Sequence, residues 1–177
     1  MISSSNDSQL LSHLGTRILQ RLAEAAKASV ILKKMSRQRN PESSASWRIE
    51  LQLVGPAAMS RLNKRYRGKT GPTDVLSFPS ASPFREAGYL GDLVICIPTL
   101  KDQAEQHRHS QRAELEILLV HGFLHLLGFD HETGRKDAKR MQQWEKRLLK
   151  KKGQGAKSPA LLREPECTSA GLIARSS

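Results

Sequence analysis

The sequence predicts one domain in which helices pack against a small β-sheet, and three observations carry that expectation. Trp47, Ile49, Leu51 and Leu53 alternate with Arg48, Glu50 and Gln52, the period of a half-buried strand. Val75 to Phe78 and Leu90 to Ile97 are short β-type runs separated by Ser, Pro and Gly, which predicts an antiparallel pair joined by a loop. Longer stretches instead repeat their apolar residues at helical spacing. With 177 residues and 38% hydrophobic content, the chain can bury one core.

The elements follow in order. From Gln9 to about Lys34, Leu10, Leu14, Ile18, Leu22 and Ala26 recur every fourth residue while Arg17, Gln20, Arg21 and Lys27 occupy other faces, predicting an amphipathic helix that covers one side of a sheet. Ser36 to Ser46 is polar and contains proline, and reads as a loop before the first strand. Pro56 opens a short helix through Tyr66, with Ala58, Met59, Leu62 and Tyr66 apolar, which Gly68 and Gly71-Pro72 stop. A basic loop then leads into the paired strands. Pro98 starts another helix, broken near His109, so that His107 and His109 are expected in a solvent-exposed loop. Ala113 to Leu127 is apolar almost all round, as a buried central helix must be. Ala138, Met141, Trp144 or Glu145, and Leu148 fit a final helix that dissolves into Lys150-Lys151-Lys152-Gly153. Residues 1–152 are thus expected to form the domain, and 153–177, rich in Gly, Ser, Pro and charge, a disordered basic tail.

Lys and Arg number 29 against 17 Asp and Glu, a formal charge of +12 that favours polyanionic partners such as nucleic acid or ribosomes. The charge falls in three clusters: Arg61, Lys64, Arg65, Arg67 and Lys69; Arg135, Lys136, Lys139 and Arg140; and Lys146 to Lys152. Two cysteines, Cys96 in an apolar run and Cys167 near the end, give no disulfide framework and suggest a reducing compartment. No stretch approaches the roughly 20 apolar residues of a membrane span. A soluble, cytoplasmic protein without membrane partner is the expectation.

The segment His121-Gly-Phe-Leu-His125-Leu-Leu-Gly128-Phe-Asp-His131 carries the chemistry. His121 and His125 lie one turn apart on the same helical face, close enough to share a ligand sphere. Gly128 can end the helix in a left-handed conformation, after which the chain reverses and returns His131 toward the same point. A three-His metal site at the end of a buried helix results. The spacing is that of the metzincin zinc proteases, whose glutamate after the first His acts as general base. Here that position is Gly122, so metal binding is expected and peptide hydrolysis of the metzincin kind is not. Asp130 can orient a ligand imidazole, act as a base or cap the turn.

Three segments, Leu62 to Lys69 running into Pro72 to Pro79, Leu90 to Cys96, and Val120 to His131, resemble in order the YbeY family of bacterial and organellar rRNA-maturation endoribonucleases, and Met141 with Glu145 adds to the likeness. The resemblance implies a compact α+β domain with a small mixed sheet of about four strands packed with helices. It implies one zinc ion on His121, His125 and His131, and no small-molecule organic cofactor. It also implies single-strand-specific cleavage of an rRNA precursor at the 3′ end of 16S-type rRNA, with the ribosomal small subunit as partner and a role in ribosome quality control. The family's important arginine maps onto Arg67 and its first histidine onto His121, the expected catalytic pair. Two departures stand out: the chain starts with a polar stretch leading straight into helix, where the family usually begins with a strand, and the family's Lys-Asp-Lys-Pro-Thr reads Lys69-Thr70-Gly71-Pro72-Thr73.

Charge chemistry fits these roles. Phosphodiester cleavage builds negative charge on nonbridging oxygens, which a guanidinium at Arg67 can pair in bidentate fashion while Lys64, Arg65 and Lys69 track the backbone. The alternative is an RNA-binding ribosome-assembly factor whose metal site is structural.

Overall fold

The computed structural model describes residues 4–28, 47–81, 84, 88–129 and 134–150. The element order is α1 (Ser4–Ala28), β1 (Arg48–Val54), α2 (Pro56–Arg67), β2 (Val75–Pro79), β3 (Tyr89–Cys96), α3 (Ile97–Gln106), α4 (Gln111–Leu126) and α5 (Arg135–Lys150). The expected basic tail, the last residues of the expected first helix and the loop before β1 lie outside the described residues. Among the described residues no helix is long and apolar enough to cross a membrane.

The sheet has three strands among the described residues, in the order β1-β3-β2. β3 pairs in parallel with β1 and antiparallel with β2, as the paired β-type runs predicted for the second contact. The expected count of about four is corrected to three. The segment described ahead of β1 is helix throughout, because its apolar residues recur at helical spacing, and among the described residues β1 forms a margin of the sheet.

Strand alternation divides the sheet into two faces. Leu51, Leu53, Val75, Leu93 and Ile95 point to one side, where they join α1, α3, α4 and α5 in the main core. Leu76, Val94 and Cys96 point to the other, where Met59 of α2 packs over them with Val54, Leu62 and Phe78 at the rim. Cys96 is buried there as a free thiol.

The first helix corrects its predicted stripe. Leu11, Ile18, Leu22 and Ala26 are buried whereas Leu10 is 69% exposed. A strict four-residue repeat drifts about 40° per step on a helix of 3.6 residues per turn, so a row anchored at Ala26 has turned roughly 160° by Leu10. Leu11 takes its place.

α4 lies against α1, α3, α5 and the sheet at once, which explains its nearly unbroken apolar sequence. Ser110 caps it, its hydroxyl accepting from the Ala113 N–H at 3.2 Å. Around the sheet Asp74 fixes the approach to β2: one carboxylate oxygen accepts from the Val75 N–H at 2.8 Å and from the Thr73 hydroxyl at 3.1 Å, and the other from Gln103 of α3 at 3.1 Å.

Tyr89, at the start of β3, has a pKa pushed up to about 12 by burial and by its hydrogen bond to Asp92, with the Asp92 and Glu50 carboxylates adding repulsion toward the phenolate. The unfolded chain releases this proton near pH 10, the native fold near 12. The contribution is therefore complete below pH 10 and is lost as pH rises to 12. Urea unfolding across that window is expected to show a falling midpoint in the native sequence and a flatter profile in Tyr89→Phe; identical profiles would count against it.

Candidate metal centre

α4 carries the two imidazoles that the spacing places on one face. The rings of His121 and His125 stand edge to face with centroids 4.7 Å apart, and their Nε2 atoms approach to 3.2 Å. His125 is buried and His121 partly so. In a tetrahedral site with metal–nitrogen bonds of about 2.0–2.1 Å, ligand atoms sit about 3.4 Å apart. The observed separation matches two ligands of one ion.

The tautomer of His121 is set from the neighbouring helix. Its Nδ1–H donates to Oε1 of Glu145 on α5 at 2.7 Å, and an ionised carboxylate can only accept. Nε2 is then the atom with the lone pair, turned toward His125. A carboxylate holding an imidazole in this way fixes the orientation of the ring. Glu145 is 6% exposed. The sequence reading placed Glu145 among the core-facing residues of the last helix and in the family likeness, without a role at the site; the signal that marks it is a carboxylate four residues after Met141 on an apolar stripe.

The end of α4 forms as Gly128 predicts. Gly128 has φ of 92°, its N–H donates to the His125 carbonyl at 2.9 Å, and the Phe129 N–H donates to the Leu124 carbonyl at 3.0 Å. This pair of bonds is the Schellman motif, and buried Leu124 and Phe129 supply its apolar contact. The chain turns back at this point. Asp130 and His131, the expected third ligand, lie outside the described residues.

Gly122 explains why the metzincin glutamate has no place here. A Cβ at this position would lie 2.7 Å from Leu93 Cδ2 and 3.2 Å from Ser77 Oγ, and the Ser77 hydroxyl donates to the Gly122 carbonyl at 3.4 Å. The helix backbone thus rests directly on β2 and β3.

The expected RNA-contacting residues gather at a different corner. Lys64, Arg65 and Arg67 form the last turn of α2, with Lys69 just beyond Gly68, which closes the helix at φ of 67°. Lys64, Arg65 and Lys69 are exposed and Arg67 is half-buried. Tyr66 packs its ring edge-on to Phe78 of β2 at 5.0 Å, and the Arg65 guanidinium lies 5.3 Å from the Tyr66 centroid. Phe78 faces α2 whereas Ser77 faces α4, so the helix that carries the basic residues and the helix that carries the imidazole pair pack on opposite faces of β2.

A second group of donors is one that sequence reasoning placed in solvent. His107 and His109 are partly buried rather than exposed, and with Glu114 they bring ligand atoms within 4.8 Å of one another. The turn after α3 folds back onto α4, with the Arg108 N–H bonded to the Glu105 carbonyl and the His109 N–H to that of Ala104. Spacing alone does not show this, because the convergence depends on the reversal between two helices.

Comparison with known proteins places these features in context. A family model described as endoribonuclease YbeY matches residues 15–153. A protein of Acinetobacter baylyi named endoribonuclease YbeY is 52% identical over 111 residues, covering 59% of this chain and 69% of that protein. Proteins of the same name from Anaeromyxobacter sp. and Aquifex aeolicus are 45% and 47% identical, with 54% and 69% of their lengths covered and 59% and 58% of this chain. A Thermotoga maritima protein solved in solution aligns over 87% of this chain and 94% of its own, at 27% identity and a TM-score of 0.49.

Leu93 is fully buried, so its δ-methyl must shift within a packed core to admit an added methyl group. Gly122→Ala is therefore expected to lower stability by roughly 1–3 kcal/mol through overpacking, read as a reduced urea midpoint. An unchanged midpoint would show that α4 does not depend on this close approach.

Proposed function

The chain belongs to the endoribonuclease YbeY family, and on that premise we propose that it is a zinc-dependent endoribonuclease that cuts single-stranded RNA during maturation of the 16S-type rRNA 3′ end. The observation that carries the metal assignment is the His121–His125 pair, with Nε2 atoms 3.2 Å apart and Glu145 fixing the tautomer of His121. His131 is proposed as the third ligand on the motif alone. Zinc held by these imidazoles supplies Lewis acidity toward a phosphoryl oxygen. His121 and Arg67 are proposed as the catalytic pair.

The protein's own groups divide the remaining work. Glu145 keeps the His121 ring oriented with Nε2 turned toward His125. Arg67 pairs the nonbridging oxygens on which charge develops, and Lys64, Arg65 and Lys69 neutralise flanking phosphates. The substrate is proposed to run between the end of α2 and α4 so as to touch both. A flexible single strand can follow such a path more readily than a duplex. The ribosomal small subunit and its rRNA precursor are the proposed partners, with the cytoplasm as the working compartment and quality control of ribosomes as the wider role. The net charge of +12 suits such a polyanionic target.

The test compares cleavage of a single-stranded rRNA 3′ precursor by purified full-length chain and by His121→Ala, Arg67→Ala and Glu145→Gln. Arg67→Ala is expected to lose about 100-fold or more in rate with its metal content intact. His121→Ala is expected to lose cleavage together with one equivalent of bound zinc. Glu145→Gln is expected to bind zinc roughly 10–100-fold more weakly. Full cleavage by both alanine variants would overturn the catalytic assignment, and cleavage lost with RNA processing preserved in cells would favour a binding role.

A further inference from the structure

We propose that His107, His109 and Glu114 form a second cation site, separate from the His121–His125 pair, that takes one divalent transition-metal ion of the zinc class. The donors come from two segments that the fold forces together. His107 and His109 sit in the turn after α3, and Glu114 is four residues beyond the cap of α4. Glu114 Oε2 lies 3.0 Å from His109 Nε2 and 3.8 Å from His107 Nδ1. These separations bracket the spacing of about 3.4 Å between ligands of a tetrahedral zinc ion.

The His107 contact discriminates between a hydrogen-bonded cluster and a ligand set. At 3.8 Å it is too long for a hydrogen bond, yet His107 Nδ1 is buried and makes none elsewhere among the described residues. An ion between the nitrogen and the carboxylate satisfies it at the observed distance. Burial sharpens the case. The Glu114 side chain is fully buried, so its carboxylate closes the inner side of the site while the two rings form its outer side. Two imidazoles and one carboxylate form a donor set of a known zinc type, which leaves a fourth position to water. The His107 and His109 side chains, 23% and 21% exposed, keep that position within reach of solvent.

The backbone between the two rings supports the same reading. Arg108 has φ of 55°, the one non-glycine residue at positive φ among those described. That conformation is costly for a residue with a Cβ, and it turns His107 and His109 to one side, their rings stacked at 5.5 Å with planes 16° apart. Along α4, Glu114 precedes His121 by seven residues, about 10 Å of helix, so one ion cannot serve both groups.

The experiment counts zinc. Full-length protein is stripped with a chelator, equilibrated with zinc chloride and assayed for metal beside His107→Ala, His109→Ala, Glu114→Gln and the double variant His121→Ala/His125→Ala. The first three are expected to hold one equivalent fewer than the unmodified chain, and the double variant to retain the equivalent that they lose. His107→Ala removes a partly exposed ring and guards against misfolding: its melting midpoint under chelator is expected to equal that of the unmodified chain, with a smaller rise on adding zinc. An unaltered count in both His107→Ala and His109→Ala overturns the proposal and leaves the catalytic reading standing. Zinc that survives the double variant but not His109→Ala supports it and counts against the imidazole pair.

Discussion

The close approach of the α4 backbone to β2 and β3 at Gly122 is the constraint from which the rest of the centre follows. With Gly122 against the sheet, helical geometry turns His121 and His125 roughly 60–100° to one side, into the seam between the sheet and α5. That seam is where Glu145 meets His121. A helix standing farther from the sheet would move both rings away from α5 and break this bond. The same contact removes the space in which a protease of similar spacing would place its glutamate, so a single packing requirement both positions the proposed metal donors and leaves no room for that side chain.

Glu114, His121 and His125 stand at intervals of seven and four residues along α4, which places all three within about 20° of one line. The most buried helix of the domain thus carries a stripe of ionisable groups along an otherwise apolar surface. Buried groups of this kind are costly unless each finds a partner. The fold supplies those partners from both ends, the turn after α3 for Glu114 and helix α5 for His121.

How much of this could be read from the residues depended on whether a signal was local. The strand alternation of 47–53, the breaks at Gly68 and Gly128, and the one-turn spacing of His121 and His125 are local, and each was legible. Leu10 was misjudged because a repeat of four only approximates 3.6. Glu145 and the group around Glu114 were not legible as site features, since each exists only when separate elements close on one another. The sheet count erred in the other direction: three β-type runs were visible in the residues, and the expectation of about four came from family likeness. Arg67 illustrates a further limit. Likeness associates it with the imidazoles, whereas it closes a different helix, α2, from the one that carries them, and no one-dimensional pattern encodes the path between the two.

The sheet's two outer strands differ in how they meet solvent. β1 turns Arg48, Glu50 and Gln52 toward the face that α2 does not fully cover, and β2 ends at Pro79, which has no N–H to offer. A neighbouring molecule that tried to extend this sheet would have to strip water from charged side chains on one flank and would meet a missing donor on the other. Among the described residues, both edges of the sheet thus oppose its extension by a strand of another copy.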